Sequence, residues 1–416
     1  MIYVIKRDGR QVPFDTDKIK NAILKAFIEV DKETSDYAKT KADNIANYIE
    51  GYCIEEEKPV SIEEIQDLVE NGLMSTKRKD VAKAYIKYRD QRTKERNWNS
   101  TMMRAAREKL DGRNIENQNA NVDEYSFGGR RGEFEAVIAK QYALDNCMSK
   151  MARDNHLNNE IYIHDLDHYA IGDHNCLSIP FDDLLANGFN TRQSDVRPAN
   201  SVNTAMQLIA VIFQLQSLQQ FGGVSATHLD WTMVPYVRKS FYKHYKDGLD
   251  YLEDDLFFWD NFTMSKLDID NELFKSKEKV YRYAINMTKK EIDQSIEALY
   301  HNLNTLQSRS GNQLPFTSIN YGTCTLPEGR MIIQGLLEGS INGVGKFHKT
   351  PVFPCGIFQV MSGVNKEPGT PNYDLYRLAL RSTAQRLYPN YANVDWSGNA
   401  GYDKNDPTTY FSTMGK

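Results

Sequence analysis

Two hydrophobic periods alternate along the chain. The opening stretch YVIKRDGRQVPFD carries two short apolar runs around Asp8-Gly9, a dipeptide that readily supplies the positive-φ positions of a tight turn, and predicts a β-hairpin. Helical spacing follows it. Ile19, Ile23, Ala26 and Phe27 fall on one face behind Asp15 or Thr16 as N-cap. VSIEEIQDLVENGLM repeats the logic, with Ser61 and Glu64 spaced as a capping box and Gly72 near the stop. DVAKAYIKYRDQRTKER predicts another amphipathic helix that runs out into charge, and its solvated run from Arg89 to Arg96 marks a candidate domain boundary.

Beyond that boundary the elements are longer and mixed. GEFEAVIAKQYALDNCMSKMARDNH and NTAMQLIAVIFQLQSLQQF read as long helices, the second apolar enough to be mostly buried. EIYIHDLDHY and TPVFPCGIFQVM have the Ile, Tyr, Val and Phe bias of strands. Such alternation favours an α/β architecture over separated layers. There is no internal repeat and no low-complexity tract.

Composition narrows the class. At 416 residues the chain has room for two or three domains, and 40% apolar with 26% charged residues is ordinary for a soluble protein. No stretch approaches the roughly 18 consecutive apolar residues of a membrane span. MIYVIKRDGRQ puts charge where a signal peptide needs an apolar run, so a cytoplasmic protein with no membrane partner is expected. Fifty-one basic against fifty-six acidic residues leave a net charge of −5, without the global basic field that draws nucleic acid.

The five cysteines, Cys53, Cys147, Cys176, Cys324 and Cys355, are scattered, odd in number and lack a CxxC pair. That argues against a disulfide framework and against a zinc site in this chain. Each taken alone reads as a small buried apolar residue, and helical periodicity assigns Cys147 to the core.

Candidate chemistry is local. Lys6, Arg7 and Arg10 surround the first turn and Lys18 follows in the next helix; cations beside exposed backbone N–H groups suit a triphosphate, although a solvated hairpin has the same composition. Cys176 stands beside Asp173, His174 and Asn175, polar company that a structural cysteine does not need. His164 and Asp165 lack the three or four ligands of a metal site and read as hydrogen-bonded scaffold. The glycines of FGGVS, Phe221 to Ser225, suit either a phosphate contact or close packing. Asn320, Gly322, Gly345 and Lys346 fall at strand and loop ends, where barrel enzymes place functional groups and where ordinary turns also lie.

VIKRDGRQVPFDTDKIKNAILKA, continued to VAKAYIKYRDQR near residue 92, resembles the ATP-cone, a nucleotide-binding regulatory domain at the N-terminus of many ribonucleotide reductases. The resemblance implies that Lys6, Arg7 and Lys18 contact the phosphates of ATP or dATP as allosteric effectors, with Arg10 left open. NANVDEYSFGGRRGE, NEIYIHDLDHYAIGDHNCLSIPFDDLLANGF, QQFGGVS, LPFTSINYGT, EGRMIIQGLLEGSINGVGKFHKTPVFP and PNYDLYRLALRSTAQRLYPNY, in that order, resemble the anaerobic glycyl-radical ribonucleoside-triphosphate reductases.

The implied fold is an α+β ATP-cone over residues 1–92, then over 93–416 the N-terminal part of a ten-stranded α/β barrel of the glycyl-radical enzyme type. Cys176 matches the reducing cysteine on the first barrel strand, which donates a hydrogen to the ribose 2′ position as the hydroxyl leaves as water. Cys324 and Cys355 match no catalytic cysteine. The resemblance also implies ribonucleoside triphosphates as substrates, a homodimer, and an activating partner that uses S-adenosylmethionine and an iron–sulfur cluster.

Three parts of that chemistry are missing. The family carries a radical-forming cysteine in a finger-loop MGCR motif, a glycine that stores the radical and a cysteine-rich zinc site; here TMG is followed by Lys416, which cannot replace a thiol. The expectation is an N-terminal fragment, inactive alone, whose glycyl radical and zinc belong to a C-terminal portion of the same enzyme. An intron or intein, a truncated product and a short regulatory paralogue all account for it, and a break beside an active-site codon favours the first. A barrel lacking its later strands should also expose edges and be unstable in isolation. The alternative is a non-catalytic, dimerising nucleotide-binding module.

Overall fold

The N-terminal hairpin closes at Gly9, whose φ of +80° is the conformation the turn requires. A computed structural model describes residues 2–7, 9–56, 58–98, 101–111, 126–253, 266–307, 314–397 and 401–414. Asp8, the other half of the turn dipeptide, lies outside them. Strand β1 (Tyr3–Ile5) runs antiparallel to β2 (Gln11–Pro13) and parallel to β3 (Val60–Ser61), giving the order β2-β1-β3.

Four helices complete a first unit, Met1–Ala105: α1 (Thr16–Asp31), α2 (Asp36–Glu55), α3 (Ile62–Ser75) and α4 (Lys79–Trp98). Asp15 caps α1 by accepting from Lys18 N at 3.3 Å, and Ile19, Ile23, Ala26 and Phe27 are buried on one face as their spacing requires. Ser61 caps α3 through Glu64 N, but the reciprocal half of the box is replaced: the Glu64 carboxylate accepts from the Tyr52 hydroxyl at 2.9 Å. Gly72 does not stop the helix. It lets α2 approach, since a Cβ there would lie 2.9 Å from Ile45 Cγ2.

The charged run after Tyr88 does not interrupt α4, which continues to Trp98. Arg89, expected in solvent, is only 19% exposed and bridges α4 to α3 through Glu63, Asp67 and Glu70 at 2.7–2.8 Å.

The second unit, Ala106–Lys416, is built on a five-stranded parallel sheet of order β10-β9-β8-β7-β4. Its strands are β4 (Leu177–Ser178), β7 (Val224–Ala226), β8 (Thr317–Tyr321), β9 (Cys355–Val360) and β10 (Asn390–Asn393); β5 (Phe189–Asn190) and β6 (Asp195–Val196) form a separate antiparallel pair. Five strands are half of the ten expected, and β4 and β10 form the edges of this sheet among the described residues.

Helices connect the parallel strands, as crossover connections demand. α5 (Phe127–Tyr142), α6 (Lys150–Leu157) and α7 (Leu166–Tyr169) precede β4, and α8 (Val202–Ser217) precedes β7. α9 (Val234–Gly248) and α10 (Glu278–Thr305) join β7 to β8, α11 (Pro327–Asn342) joins β8 to β9, and α12 (Tyr373–Arg386) joins β9 to β10. Phe213, Phe241, Ile296, Leu336, Ile319 and Phe358 belong to their common core. α8 buries most of its apolar residues, as its composition predicted.

Three expectations are corrected. Glu160–Tyr169 is not a strand: it is a loop ending in the short helix α7, because Asp165 at φ +55° breaks the extended run, and Tyr162 is 81% exposed. The long helix read through residues 132–156 is divided. α5 passes into a wide π-turn at Ala143–Cys147, the helix ends, and Ser149 caps α6 by accepting from Ala152 N at 3.2 Å. That extra width shifts the helical phase, so Cys147, assigned to the core by periodicity, is exposed.

Candidate functional site

Strand alternation gives the parallel sheet two chemically different faces. Ile319, Tyr321 and Phe358 enter the core beneath the helices, so Ser318 and Asn320 of β8, Ser225 of β7 and Gln359 of β9 share the opposite face, where all four are buried. The register carries this polar face to the edge: Ser178 of β4 stands opposite Ser225. Cys176, two residues earlier, takes the same side. It lies just before the strand on which it was expected and is partly exposed, whereas Cys53, Cys324 and Cys355 are buried as structural cysteines should be.

The chain around Cys176 is held from several directions. Its thiol donates to Asn175 Oδ1 at 3.2 Å. Phe221 N donates to His174 O at 3.2 Å, Leu177 N to Gly223 O at 3.1 Å, and Gln220 Nε2 to Asn175 O at 3.4 Å. His168 Nδ1 meets Asp173 Oδ2 at 2.8 Å, and its ring stacks on Phe221 with centroids 4.1 Å apart. In FGGVS the glycine at 222 serves close packing, because its missing Cβ would collide with Asn175.

The last described residues lie on the same polar face. Asn320 Nδ2 donates to Thr413 O at 3.0 Å and Asn320 Oδ1 accepts from Thr413 N at 3.1 Å. Gln359 Nε2 donates to Phe411 O at 2.8 Å. Gly415 and Lys416, on which the expectation of a missing thiol rests, lie outside the described residues.

Gly322 and its neighbours form a buried hub after β8. Asp230 Oδ2 accepts from Gly322 N and Cys324 N, both at 2.9 Å, while Asn365 and Asn372 donate to Gly322 O at 2.9 and 3.1 Å. Burial raises the Asp230 carboxyl above the ordinary aspartate range, against the opposing pull of those two main-chain donors. Burial similarly pushes the Cys324 thiol well up, which suits an inert cysteine. Gly345 and Lys346 make none of these contacts: they sit in the exposed Val344–Lys349 turn, with the Lys346 ammonium 4.7 Å from the Phe347 ring centroid. His164 bonds its neighbour Asp165, and among the described residues no group of three or more His, Cys, Asp or Glu could hold a metal.

Several site residues escaped the sequence reading. Gln359 and Asp230 are two of them, and His228 is a third. At the end of β7, His228 places Nε2 2.7 Å from Asp182 Oδ2 and Nδ1 2.7 Å from Thr227 Oγ1. Burial opposes its charge, yet the bond and charge of Asp182 leave the imidazole raised overall. The signal available for Gln359 was an amide inside the otherwise apolar strand CGIFQV.

The first unit contains a cavity of about 240 Å³ between the hairpin, α1, α3 and α4. Lys6 and Lys18 line it together with apolar Val12, Ile19 and Ile65 and with Tyr85. Burial raises the Tyr85 hydroxyl to about 12, so it enters the cavity as a neutral phenol. Lys18 Nζ is 3.1 Å from Asp15. Arg7 does not line the cavity but is held beside it: it bonds the Glu63 carboxylate and donates at 3.0 Å to Oε1 of Gln66, a lining residue. Two of the three predicted phosphate contacts therefore share one cavity, and the third is held against α3.

Comparison with known proteins agrees in both units. Residues 118–415 match the family model for anaerobic ribonucleoside-triphosphate reductase, and residues 2–94 match that for the ATP cone domain. The chain is 32% identical over 396 residues to the anaerobic ribonucleoside-triphosphate reductase of Escherichia coli, covering 94% of this chain and 51% of that one. It is 31% identical over 395 residues to the Haemophilus influenzae protein of the same name, covering 94% and 52%. The crystal structure of the Thermotoga maritima anaerobic ribonucleotide reductase in complex with dATP and CTP superposes over 72% of this chain and 48% of its own, at 14% identity and a TM-score of 0.45. The chain thus spans about half the length of the relatives it matches.

Proposed function

The chain belongs to the anaerobic ribonucleoside-triphosphate reductase family, and from that premise we propose that it carries the nucleotide-sensing unit and part of the reducing face of an enzyme that converts ribonucleoside triphosphates to deoxyribonucleoside triphosphates. The observation that carries this reading is the Cys176 thiol, partly exposed at the edge of a polar sheet face whose central residues Ser225, Ser318, Asn320 and Gln359 are buried.

On this reading the 2′-hydroxyl takes up a proton and leaves as water, and Cys176 gives one hydrogen atom to C2′ of the ribose, leaving a thiyl; the second reducing equivalent comes from an external reductant of the complete enzyme, formate or a thiol protein. Asn175, accepting from the S–H, holds that hydrogen in place until it is used. A glycyl radical would supply the initiating one-electron chemistry. That radical, a zinc site and the activating S-adenosylmethionine enzyme belong to the complete reductase, a homodimer that includes a C-terminal portion. The cytoplasm is its proposed location; no helix among the described residues is long and apolar enough to cross a membrane.

The effector reading concerns residues 1–92, with the catalytic portion over 93–416. ATP or dATP would place its base among Val12, Ile19, Ile65 and Tyr85 and its phosphates at Lys6 and Lys18. Arg7 would join them only by exchanging the Glu63 carboxylate for a phosphate.

Complementation by a C-terminal portion, compared between the unsubstituted chain and Cys176→Ser, tests the catalytic reading. Deoxynucleotide formation should vanish in the serine variant, and equal activity in both would rule Cys176 out as the reductant.

A further inference from the structure

Two carboxamides occupy positions that a strand interior ordinarily gives to apolar residues. Asn320 and Gln359 are wholly buried near the C-terminal ends of adjacent strands β8 and β9. Their side chains contribute nothing to the strand ladder, whose bonds are main-chain, and a buried amide is unfavourable unless its polar atoms find partners. Three of their four polar atoms find partners in one segment of chain, while Gln359 Oε1 is buried without a partner among the described residues. Asn320 donates to Thr413 O and accepts from Thr413 N, reproducing with a side chain the two-way bonding of an antiparallel residue pair. Gln359 donates to Phe411 O, two residues away, as extended backbone presents alternate residues to the same side.

Both amides are also anchored to β7 or to the residue that follows it. Asn320 Nδ2 lies 3.0 Å from Ala226 O and 3.2 Å from Ser225 Oγ, and Gln359 Nε2 lies 3.4 Å from Thr227 O. The sheet therefore shares with the segment in setting their orientation. Residues 411–414 have no strand pairing of their own, so these two side chains supply the bonds that a sheet would otherwise provide.

We propose that Asn320 and Gln359 are positioning residues of the candidate active site: they hold the main chain of residues 411–413 on the polar face that bears Cys176 and so fix one wall of the space a nucleotide substrate enters. The clamp stands on the hydrogen bonds alone, whereas its catalytic consequence rests on the reductase reading.

Amide hydrogen exchange in the 416-residue chain tests the clamp directly. Thr413 N–H should exchange roughly tenfold more slowly than Ser412 N–H, the protection expected of one net hydrogen bond, and Asn320→Ala should abolish the difference. Equal exchange at the two amides in the unsubstituted chain would overturn the clamp without any variant having to fold. In the complete reductase, Asn320→Ala should lower kcat about tenfold or more while KM stays within roughly twofold, the pattern of lost positioning rather than lost binding. An unchanged kcat would overturn the positioning role even with Thr413 exposed. Full turnover in Cys176→Ser would instead rule Cys176 out as the reductant and leave the exchange result standing.

Discussion

Gly222 stands so close to Asn175 that a Cβ in its place would lie 2.0 Å from the Asn175 carbonyl oxygen and 2.2 Å from its Oδ1. The same Oδ1 receives the Cys176 thiol, so the absence of a side chain at one strand entrance shapes the presentation of the cysteine on the next.

Gly222→Ala must therefore displace the main chain that leads into β4. The expected cost is about 1–3 kcal/mol, as for other overpacked sites. Cys176 should also lose its bond to Asn175 and become more accessible to alkylation. Denaturant unfolding reads the first effect, and iodoacetamide labelling in a Cys147→Ser background, needed because Cys147 is exposed, reads the second. Unchanged values in both would show that the approach is not a constraint.

In the first unit, Lys6→Ala and Lys18→Ala should each weaken ATP or dATP binding by roughly tenfold or more, the loss of a charge-assisted phosphate contact. Arg7→Ala should weaken it less, because its guanidinium is already engaged by Glu63 and Gln66. Titration calorimetry distinguishes the three variants. Affinity unaltered in both lysine variants would remove the cavity as the effector site.

Arg89→Met should destabilise the first unit by about 2 kcal/mol, because it removes a largely buried guanidinium and leaves Glu63, Asp67 and Glu70 facing one another. Burial opposes the charge of Arg89, but its three carboxylate partners outweigh that and raise the guanidinium overall. Added salt should narrow the deficit by screening the carboxylates that remain. Urea unfolding followed in low and high salt would check both statements, and a deficit insensitive to salt would point to lost packing alone.

Asp230 predicts a pH dependence of definite sign. Its carboxyl is raised in the folded state, so the folded protein binds the proton more tightly than the unfolded chain does. The associated stability is complete below the unfolded value near 3.8 and is lost as pH rises through the folded value. Asp230→Asn keeps an acceptor for Gly322 N and Cys324 N and cannot ionise. Its stability relative to the unsubstituted chain should climb with pH from about 4 and then level off, as measured by chemical denaturation between about pH 4 and 8. A constant difference across that range would mean that the carboxyl titrates normally.

The elements most legible in the sequence were those decided by neighbours a few residues away. Spacing placed Ile19, Ile23, Ala26 and Phe27 on the buried face of α1, turn chemistry placed the hairpin at Gly9, and an apolar run bracketed β9. The motifs by which Cys176, Lys6, Arg7 and Lys18 were proposed as site residues are local patterns too. Local reading erred where one residue altered the backbone phase: Asp165 in the left-handed region cancelled a strand, and a π-turn carried Cys147 to the surface.

Local pattern in the chain was thus enough for the N-terminal hairpin, the buried faces of α1 and α8 and the residues that resemble a known chemistry. Assembly of the fold was needed to show that Arg89 belongs to a three-carboxylate bridge, that Arg7 is engaged by Glu63 and Gln66 beside the cavity of Lys6 and Lys18, and that Asn320 and Gln359 bind the main chain of residues 411–413. Periodicity states which face of an element is apolar. It carries no information about which partner, some 60 or 90 positions away, will satisfy a polar atom once that face is buried, and hydrogen bonding makes that choice only when the fold has assembled.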